Sequence, residues 1–152
     1  MTLFNAGEEL IDAKLNALNE PGWSSFGSIA WSSSGTQPAL GNGTLVGRYR
    51  QTVDSDLVIF EFRLVMGSTT TYGTGTYFFS APVTPSSIAT TNASGYCYFL
   101  DAGTQDKIGG LKFEDNTKVT PVGATGGVVT PTNPHTWANT DQIKGTILYE
   151  PA

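Results

Sequence analysis

The sequence predicts a mostly β protein, a single β-sandwich of jelly-roll type preceded by one short N-terminal α-helix. Only 14% of the residues are charged, against roughly 25% in ordinary soluble domains, and glycine supplies 18 of the 152 positions. Hydrophobic residues make up 39% of the chain and fall in strand-length runs separated by clusters of Gly, Asn, Asp and Thr. A chain of this length can bury its own core. We therefore expect a helical segment over residues 1–22 and one β domain over residues 23–152.

The helix is predicted from its end signals and from one apolar stripe. Asn5 and Glu8 fit a capping box, and Pro21-Gly22 ends the helix. At about 100° per residue, several large side chains share one face. The face that we predict as a docking or oligomerisation surface consists of Leu10, Ile11, Lys14, Leu15 and Leu18. The alternative is that this face packs on the chain's own sheet; Lys14 favours an interface, because a partner could supply its carboxylate.

Eight strands are predicted after Trp23, because each run is short, apolar and bounded by turn residues. They are residues 26–32, 43–53, 57–66, 76–81, 96–102, 107–113, 118–122 and 143–149. Tight turns are predicted at 54–56, 103–106 and 114–116, and longer loops at 84–95 and 123–142. Eight short strands in one domain are typical of a β-sandwich, for which the jelly roll is the expected topology.

Charge and cysteine content restrict the partners. The net charge is −5 and the pI is about 4.6, so binding to nucleic acid would gain nothing from counterion release. No apolar run approaches the roughly 20 residues needed to span a bilayer, so we expect no membrane insertion. The single cysteine, Cys97, lies among aromatic residues and is predicted to be a small buried side chain rather than a reactive thiol.

The sequence offers no convincing catalytic set. His135 is the only histidine, it lies in a loop with two prolines, and no Gly-x-Ser-x-Gly elbow accompanies it. We predict a solvent-facing or turn-stabilising histidine. Asp54 and Asp56 lack the glycine and distal glutamate of a calcium loop. The expectation is a protein that is not an enzyme and holds no metal or cofactor.

Two strand carboxylates, Glu61 and Glu114, are the remaining candidates for acid–base chemistry. We expect both to face solvent or to pair with Arg63 and Lys112.

Two aromatic residues in polar loops suggest a glycan contact. Tyr72 and Trp137 are flanked by threonine, glycine and asparagine, whose polar groups could bind sugar hydroxyls while the rings stack on the sugar. The alternative is that each ring plugs an end of the sandwich or packs on a neighbouring subunit.

The block at residues 40–83 resembles a known module. It contains Gly-Asn-Gly-Thr at 41–44, Gly-Arg-Tyr at 47–49, a hydrophobic strand, Gly-Ser-Thr-Thr at 67–70, and an aromatic strand that ends in proline. This order is similar to a module in virion proteins of phages that infect actinobacteria, usually described as minor tail or tail-fibre-like proteins. Residues 7–16 also resemble the start of many phage tail and fibre proteins, although Ile11 stands where those often have threonine.

The resemblance implies a non-enzymatic bacteriophage structural protein that is assembled in the host cytoplasm and exposed on the virion. It implies either a minor tail or short fibre protein for host attachment, or a capsid decoration protein. The implied partners are other copies of the chain in a homotrimer, other capsid or tail proteins, and a host surface glycan. The alternative class is a carbohydrate-binding β-sandwich module, which Tyr72 and Trp137 favour.

Overall fold

The structure of the protein is a computed structural model that describes residues 22–52, 56–92 and 94–152. The predicted N-terminal helix and its apolar stripe lie outside the described residues, and so does most of the predicted turn at 54–56.

The described chain is mostly β, as the sequence predicts. The strands are β1 (Ser24–Ser25), β2 (Trp31–Ser33), β3 (Thr44–Gln51), β4 (Val58–Val65), β5 (Tyr77–Ser80), β6 (Ser94–Leu100), β7 (Lys107–Phe113), β8 (Lys118–Gly123) and β9 (Gln142–Tyr149), and one helix, α1 (Ser87–Asn92), precedes β6. All neighbouring strands pair antiparallel, in the order β1-β3-β4-β9-β6-β7-β8-β5-β2.

Aromatic contacts show that this sheet is curled. Phe62 of β4 stacks on Phe79 of β5 with ring centroids 4.2 Å apart, although β9, β6, β7 and β8 lie between these strands in the sheet. Phe113 of β7 and Tyr149 of β9 meet edge to face at 4.9 Å across β6. Pairing is continuous from β1 to β2, so the predicted division into two sheets of a jelly-roll sandwich is not confirmed.

Residues along β4 and β9 alternate between the inside and the outside of the curl. Phe60, Phe62 and Leu64 are buried, whereas Glu61 and Arg63 point outward. The same alternation runs along β9. A period of two is the pattern of strands with one face on the core and one in water. For this reason the predicted bounds of these two strands lie within one residue of the observed ones.

A row of small residues makes room for the rings inside the curl. Gly145, Cys97 and Gly109 are consecutive partners across β9, β6 and β7, and Phe62 is the next partner of Gly145 on β4. A Cβ atom on Gly145 would lie 2.4 Å from the Phe62 ring. Cys97 is fully buried, as predicted, and burial raises the pKa of its thiol far above the ordinary value.

The two halves of the motif block meet at a corner of the sheet. The Asn42 side-chain oxygen accepts the Thr69 N–H at 2.9 Å, and the Thr69 hydroxyl accepts the Asn42 N–H at 2.9 Å. Gly41 has a positive φ of 57°, which few other residues adopt. An isolated bridge between Ala39 and Thr71 follows. This corner joins the two segments that connect β2 to β3 and β4 to β5.

Two local predictions are wrong. Residues 26–32 do not form one strand, because a turn that includes Phe26 separates β1 from β2 and the two short strands pair with different partners. The loop at 84–95 contains helix α1, where the Ser86 hydroxyl accepts the Ala89 N–H at 3.1 Å. Within the described residues, no helix has the length and apolar character needed to cross a membrane.

Candidate functional site

The outer face of β3, β4, β9 and β6 presents two rows of side chains in register. Arg48, Glu61, Thr146 and Tyr96 are successive partners in one row. The neighbouring row runs Val46, Arg63, Lys144, Tyr98 and then Ile108 on β7. Antiparallel pairing therefore brings together residues that are widely separated in sequence.

All of these side chains except Ile108 line an open concavity of about 570 Å³, which we call the outer groove. It is lined by Arg48, Arg63 and Lys144 together with one carboxylate, Glu61. Three of the chain's eight Lys and Arg residues thus lie in one groove of an acidic protein. Such a concentration of positive charge attracts anionic groups.

Arg48 is held by two contacts at the edge of the outer groove. Its Nε and one terminal nitrogen each lie 2.7 Å from Glu61 Oε2, and its guanidinium lies 4.1 Å from the centre of the Trp23 ring. Arg63 donates instead to Gln142 at 3.1 Å. Glu61 faces outward, as the first predicted alternative has it, but its ion-pair partner is Arg48 rather than Arg63, since the strand register places Arg48 opposite Glu61.

Two tyrosines form the aromatic part of the outer groove. Tyr96 is 49% exposed. The Tyr98 hydroxyl donates to Asp106, and this hydrogen bond is the main reason that the pKa of Tyr98 is raised. The Lys144 ammonium lies 5.2 Å from the centre of the Tyr98 ring. Tyr98 is thus oriented by its neighbours, whereas Tyr96 offers its ring to solvent.

Large apolar side chains are also concentrated on this outer face. Six such side chains are exposed among the described residues. Four of them lie on the outer face of β3, β6, β7 and β9: Val46, Tyr96, Ile108 and Leu148. Exposed apolar residues gathered on one face mark interaction surfaces more often than scattered ones do.

The two aromatic residues predicted as glycan contacts lie elsewhere. Trp137 is 3% exposed, and its indole N–H donates to the Thr130 carbonyl at 2.8 Å. Tyr72 is half-buried against the core, and its carbonyl accepts the Tyr77 hydroxyl at 2.8 Å. Trp137 thus occupies the buried position that the alternative interpretation assigns to it, and its face is not offered to a sugar.

His135 is buried, so the solvent-facing alternative of the prediction is wrong, and it lies beside two carboxylates. Asp101 directly follows β6 and Asp141 directly precedes β9. Leu100 and Gln142 are partners, so the two aspartates face each other one residue further along. The loop before β9 places His135 next to these two aspartates. Donor atoms of the three residues all lie within 4.8 Å of one another.

The environment of His135 disfavours the charged form of its imidazole. Its side chain is 6% exposed, and its ring lies 4.1 Å from that of Trp137. Burial lowers its pKa, and the nearby charges of Asp101 and Asp141 oppose this effect without overcoming it. Among the described residues, neither ring nitrogen has a hydrogen-bond partner. His135 Nε2 lies 3.5 Å from Asp141 Oδ2, at the outer limit of hydrogen bonding.

Two further candidates from the sequence are Glu114 and the aspartates of the turn at 54–56. Glu114 is exposed, as one of the two predicted alternatives has it, and it accepts a hydrogen bond from the Thr120 hydroxyl at 3.2 Å within the β7–β8 hairpin. Asp54 lies outside the described residues and Asp56 is exposed. The docking residues of the N-terminal stripe also lie outside the described part.

Comparison with protein-family models finds no match, and no curated protein or solved structure matches the chain.

Proposed function

We propose that this chain is a non-enzymatic structural protein of a bacteriophage particle, exposed on the virion as a minor tail or short fibre protein or as a capsid decoration protein. The motif block at 40–83, which resembles phage tail modules, supports the proposal. In the fold, its two Gly- and Thr-rich motifs build one corner of the sheet through Asn42 and Thr69, which is a scaffolding role.

The observation that supports a structural role most directly is the apolar character of the outer face. Val46 and Ile108 are 60% and 61% exposed, and Leu148 is 49% exposed. Covering the part of each side chain that is still exposed would contribute about 1 kcal/mol or slightly more, roughly half of the value for full burial. The contact that this face makes is with a neighbouring virion subunit, either another copy in a homotrimer or a capsid or tail protein.

Immunogold labelling of purified particles tests the proposal and separates head from tail. Labelling at the tail tip supports a role in host attachment, and labelling over the shell supports decoration. Absence of the chain from purified virions, measured by mass spectrometry, would contradict both.

Replacing Ile108 by aspartate is expected to reduce incorporation into particles by roughly tenfold or more, since a buried charge would replace an apolar contact. The fold should survive, because Ile108 is 61% exposed. Ile88→Asp is the matched control, because Ile88 is 64% exposed but belongs to α1. Quantitative mass spectrometry of particles and light scattering of the isolated variants give the measurement. If the two variants are incorporated into particles to the same extent, the outer face does not form the contact.

A carbohydrate-binding module is the second candidate, and the outer groove favours it. Tyr96 offers an exposed ring, the Thr146 hydroxyl lies beside it, and Arg63 and Lys144 supply positive charge. This combination suits a saccharide that carries carboxylate or phosphate groups, because aromatic rings stack on sugars and cations bind their anionic substituents.

Replacing Tyr96 by alanine is expected to weaken binding to an acidic polysaccharide of the host envelope by about tenfold, the usual scale for loss of an anchoring aromatic side chain. Affinity electrophoresis or a glycan array measures the change. Ile88→Asp should leave this binding intact, since Ile88 belongs to α1 and does not line the outer groove. If the unmodified chain binds no glycan, the second candidate fails while the structural proposal stands.

A further inference from the structure

The cluster of Asp101, His135 and Asp141 contains two carboxylates that a nearby cation would stabilise. Two carboxylates that face each other at the end of paired strands repel, and like charges directly opposite one another destabilise a sheet. Asp141 is 1% exposed, and burial of an unbalanced charge is costly. The Lys107 ammonium acts electrostatically on His135, but it donates to the Pro134 carbonyl at 2.8 Å. One ammonium group does not balance two carboxylates.

The imidazole of His135 is an independent indication of a ligand. Buried polar groups are almost always hydrogen-bonded, yet neither nitrogen of this ring has a partner within the described part of the chain. Its side chain is 94% buried, and Nε2 points to the carboxylates, 3.5 Å from Asp141 Oδ2. In the tautomer whose proton is on Nδ1, the Nε2 lone pair faces the Asp141 carboxylate, which is unfavourable unless a cation lies between them.

We propose that Asp101, His135 and Asp141 form a binding site for a divalent transition-metal ion of the zinc type. Imidazole nitrogen and carboxylate oxygen are both zinc ligands, at about 2.0–2.2 Å from the metal. Tetrahedral geometry with such bonds places donor atoms roughly 3.3 Å apart. Nε2 and Oδ2 lie 3.5 Å apart, the other separations are at most 4.8 Å, and metal binding would draw the half-buried Asp101 closer.

The surroundings of Asp141 fit a metal-ligating carboxylate. Oδ1 accepts the Ala102 N–H at 2.9 Å, and Oδ2 accepts the Ala138 N–H at 2.7 Å. A carboxylate has about four acceptor positions, so each oxygen keeps one for a metal. Hydrogen bonds of this kind orient ligands in metal sites. The ion would join the loop at 124–141 to the ends of β6 and β9, which is a structural role.

Zinc titration of the tag-free full chain, stripped with EDTA and dialysed free of chelator, tests the proposal. Calorimetry and metal analysis should show one equivalent of bound Zn²⁺, and zinc should raise the unfolding temperature. Co²⁺ should give visible absorption bands of a low-symmetry site. Failure of the unmodified chain to bind either ion overturns the proposal and leaves a buried water as the partner of His135.

Site variants separate this cluster from other zinc sites. Asp101→Asn and His135→Gln should each weaken zinc binding more than about tenfold, the lower end of what loss of even a supporting residue causes. Asp115→Asn makes the same change of charge in the β7–β8 hairpin and should bind zinc like the unmodified chain. Asp101 is half-buried, so its variant should fold even if His135→Gln does not. Unchanged affinity in Asp101→Asn contradicts the assignment.

Discussion

Replacing Gly145 by alanine is expected to lower the free energy of unfolding by about 3 kcal/mol, at the upper end of what overpacking of a core causes. A Cβ atom at this position would lie 2.4 and 2.6 Å from two atoms of the Phe62 ring and 3.2 Å from a methyl group of Leu111. Phe62 cannot move away easily, because its other face stacks on Phe79 at 4.2 Å. The new methyl group must therefore displace a ring that links two distant strands of the curled sheet.

Gly110→Ala is the matched control for this substitution. Gly110 is also in mid-strand, on β7, but the nearest atom to its added Cβ is the Gly95 carbonyl oxygen at 3.7 Å, an ordinary contact. Its replacement should be neutral or stabilise the fold by up to about 1 kcal/mol, since alanine restricts the unfolded chain. Chemical denaturation of both variants gives the comparison. Equal stabilities would show that the Phe62 ring does not fill the space beside Gly145.

The contrast between these glycines shows what the sequence can and cannot predict. The strand around Gly145 is predictable, because Ile143, Ile147 and Tyr149 fall at odd-numbered positions of a short apolar run that includes the polar residues Lys144 and Thr146. The reason for glycine at 145 is not predictable, since it depends on the register of β9 with β4 and on the curl that brings Phe79 to Phe62. Continuous pairing through all nine strands is likewise a tertiary property that the spacing of strands does not determine.

The candidate sites were harder to predict than the strands. The outer groove combines side chains from four strands, and the sequence does not reveal the order of these strands in the sheet. The alternation of apolar and polar residues along each strand identifies the side chains only as outward-facing. The sequence predicts a solvent-facing or turn-stabilising His135, yet its ring packs against Trp137 and both side chains are buried. Asp101 and Asp141 flank strands that are distant in sequence, so no local sequence motif predicts that the two side chains lie close together.

Replacing Asp141 by alanine is expected to lower the free energy of unfolding by about 3 kcal/mol. The carboxylate accepts the N–H groups of Ala102 and Ala138, and hydrogen bonds to a charged group are worth about 1.5–3 kcal/mol each. Relief of the repulsion with Asp101 offsets part of this loss. The Asp141 side chain therefore stabilises the ends of β6 and β9 before any ligand is considered.

Asp115→Ala is the control for this second prediction. Asp115 also accepts backbone N–H groups, from Thr117 and Lys118, but its side chain is 42% exposed. Water can replace it, so its removal should lower stability by less than about 1 kcal/mol. Thermal and urea denaturation of the two variants should show the difference. Similar small losses for both would mean that water satisfies the N–H groups of Ala102 and Ala138 equally well.

Denaturation in EDTA separates the hydrogen-bonding role of Asp141 from the proposed metal site. With chelator present, Asp141→Ala should still lose about 3 kcal/mol, because its backbone hydrogen bonds do not depend on an ion. Asp101→Asn should lose little under the same condition and should differ from the unmodified chain only when zinc is added, since a ligand stabilises the folded state in proportion to its binding. A large decrease in the free energy of unfolding of Asp101→Asn in EDTA would contradict this separation, because the Asp101 carboxylate would then stabilise the fold without a metal. The interaction between Asp101 and Asp141 would in that case be favourable rather than repulsive.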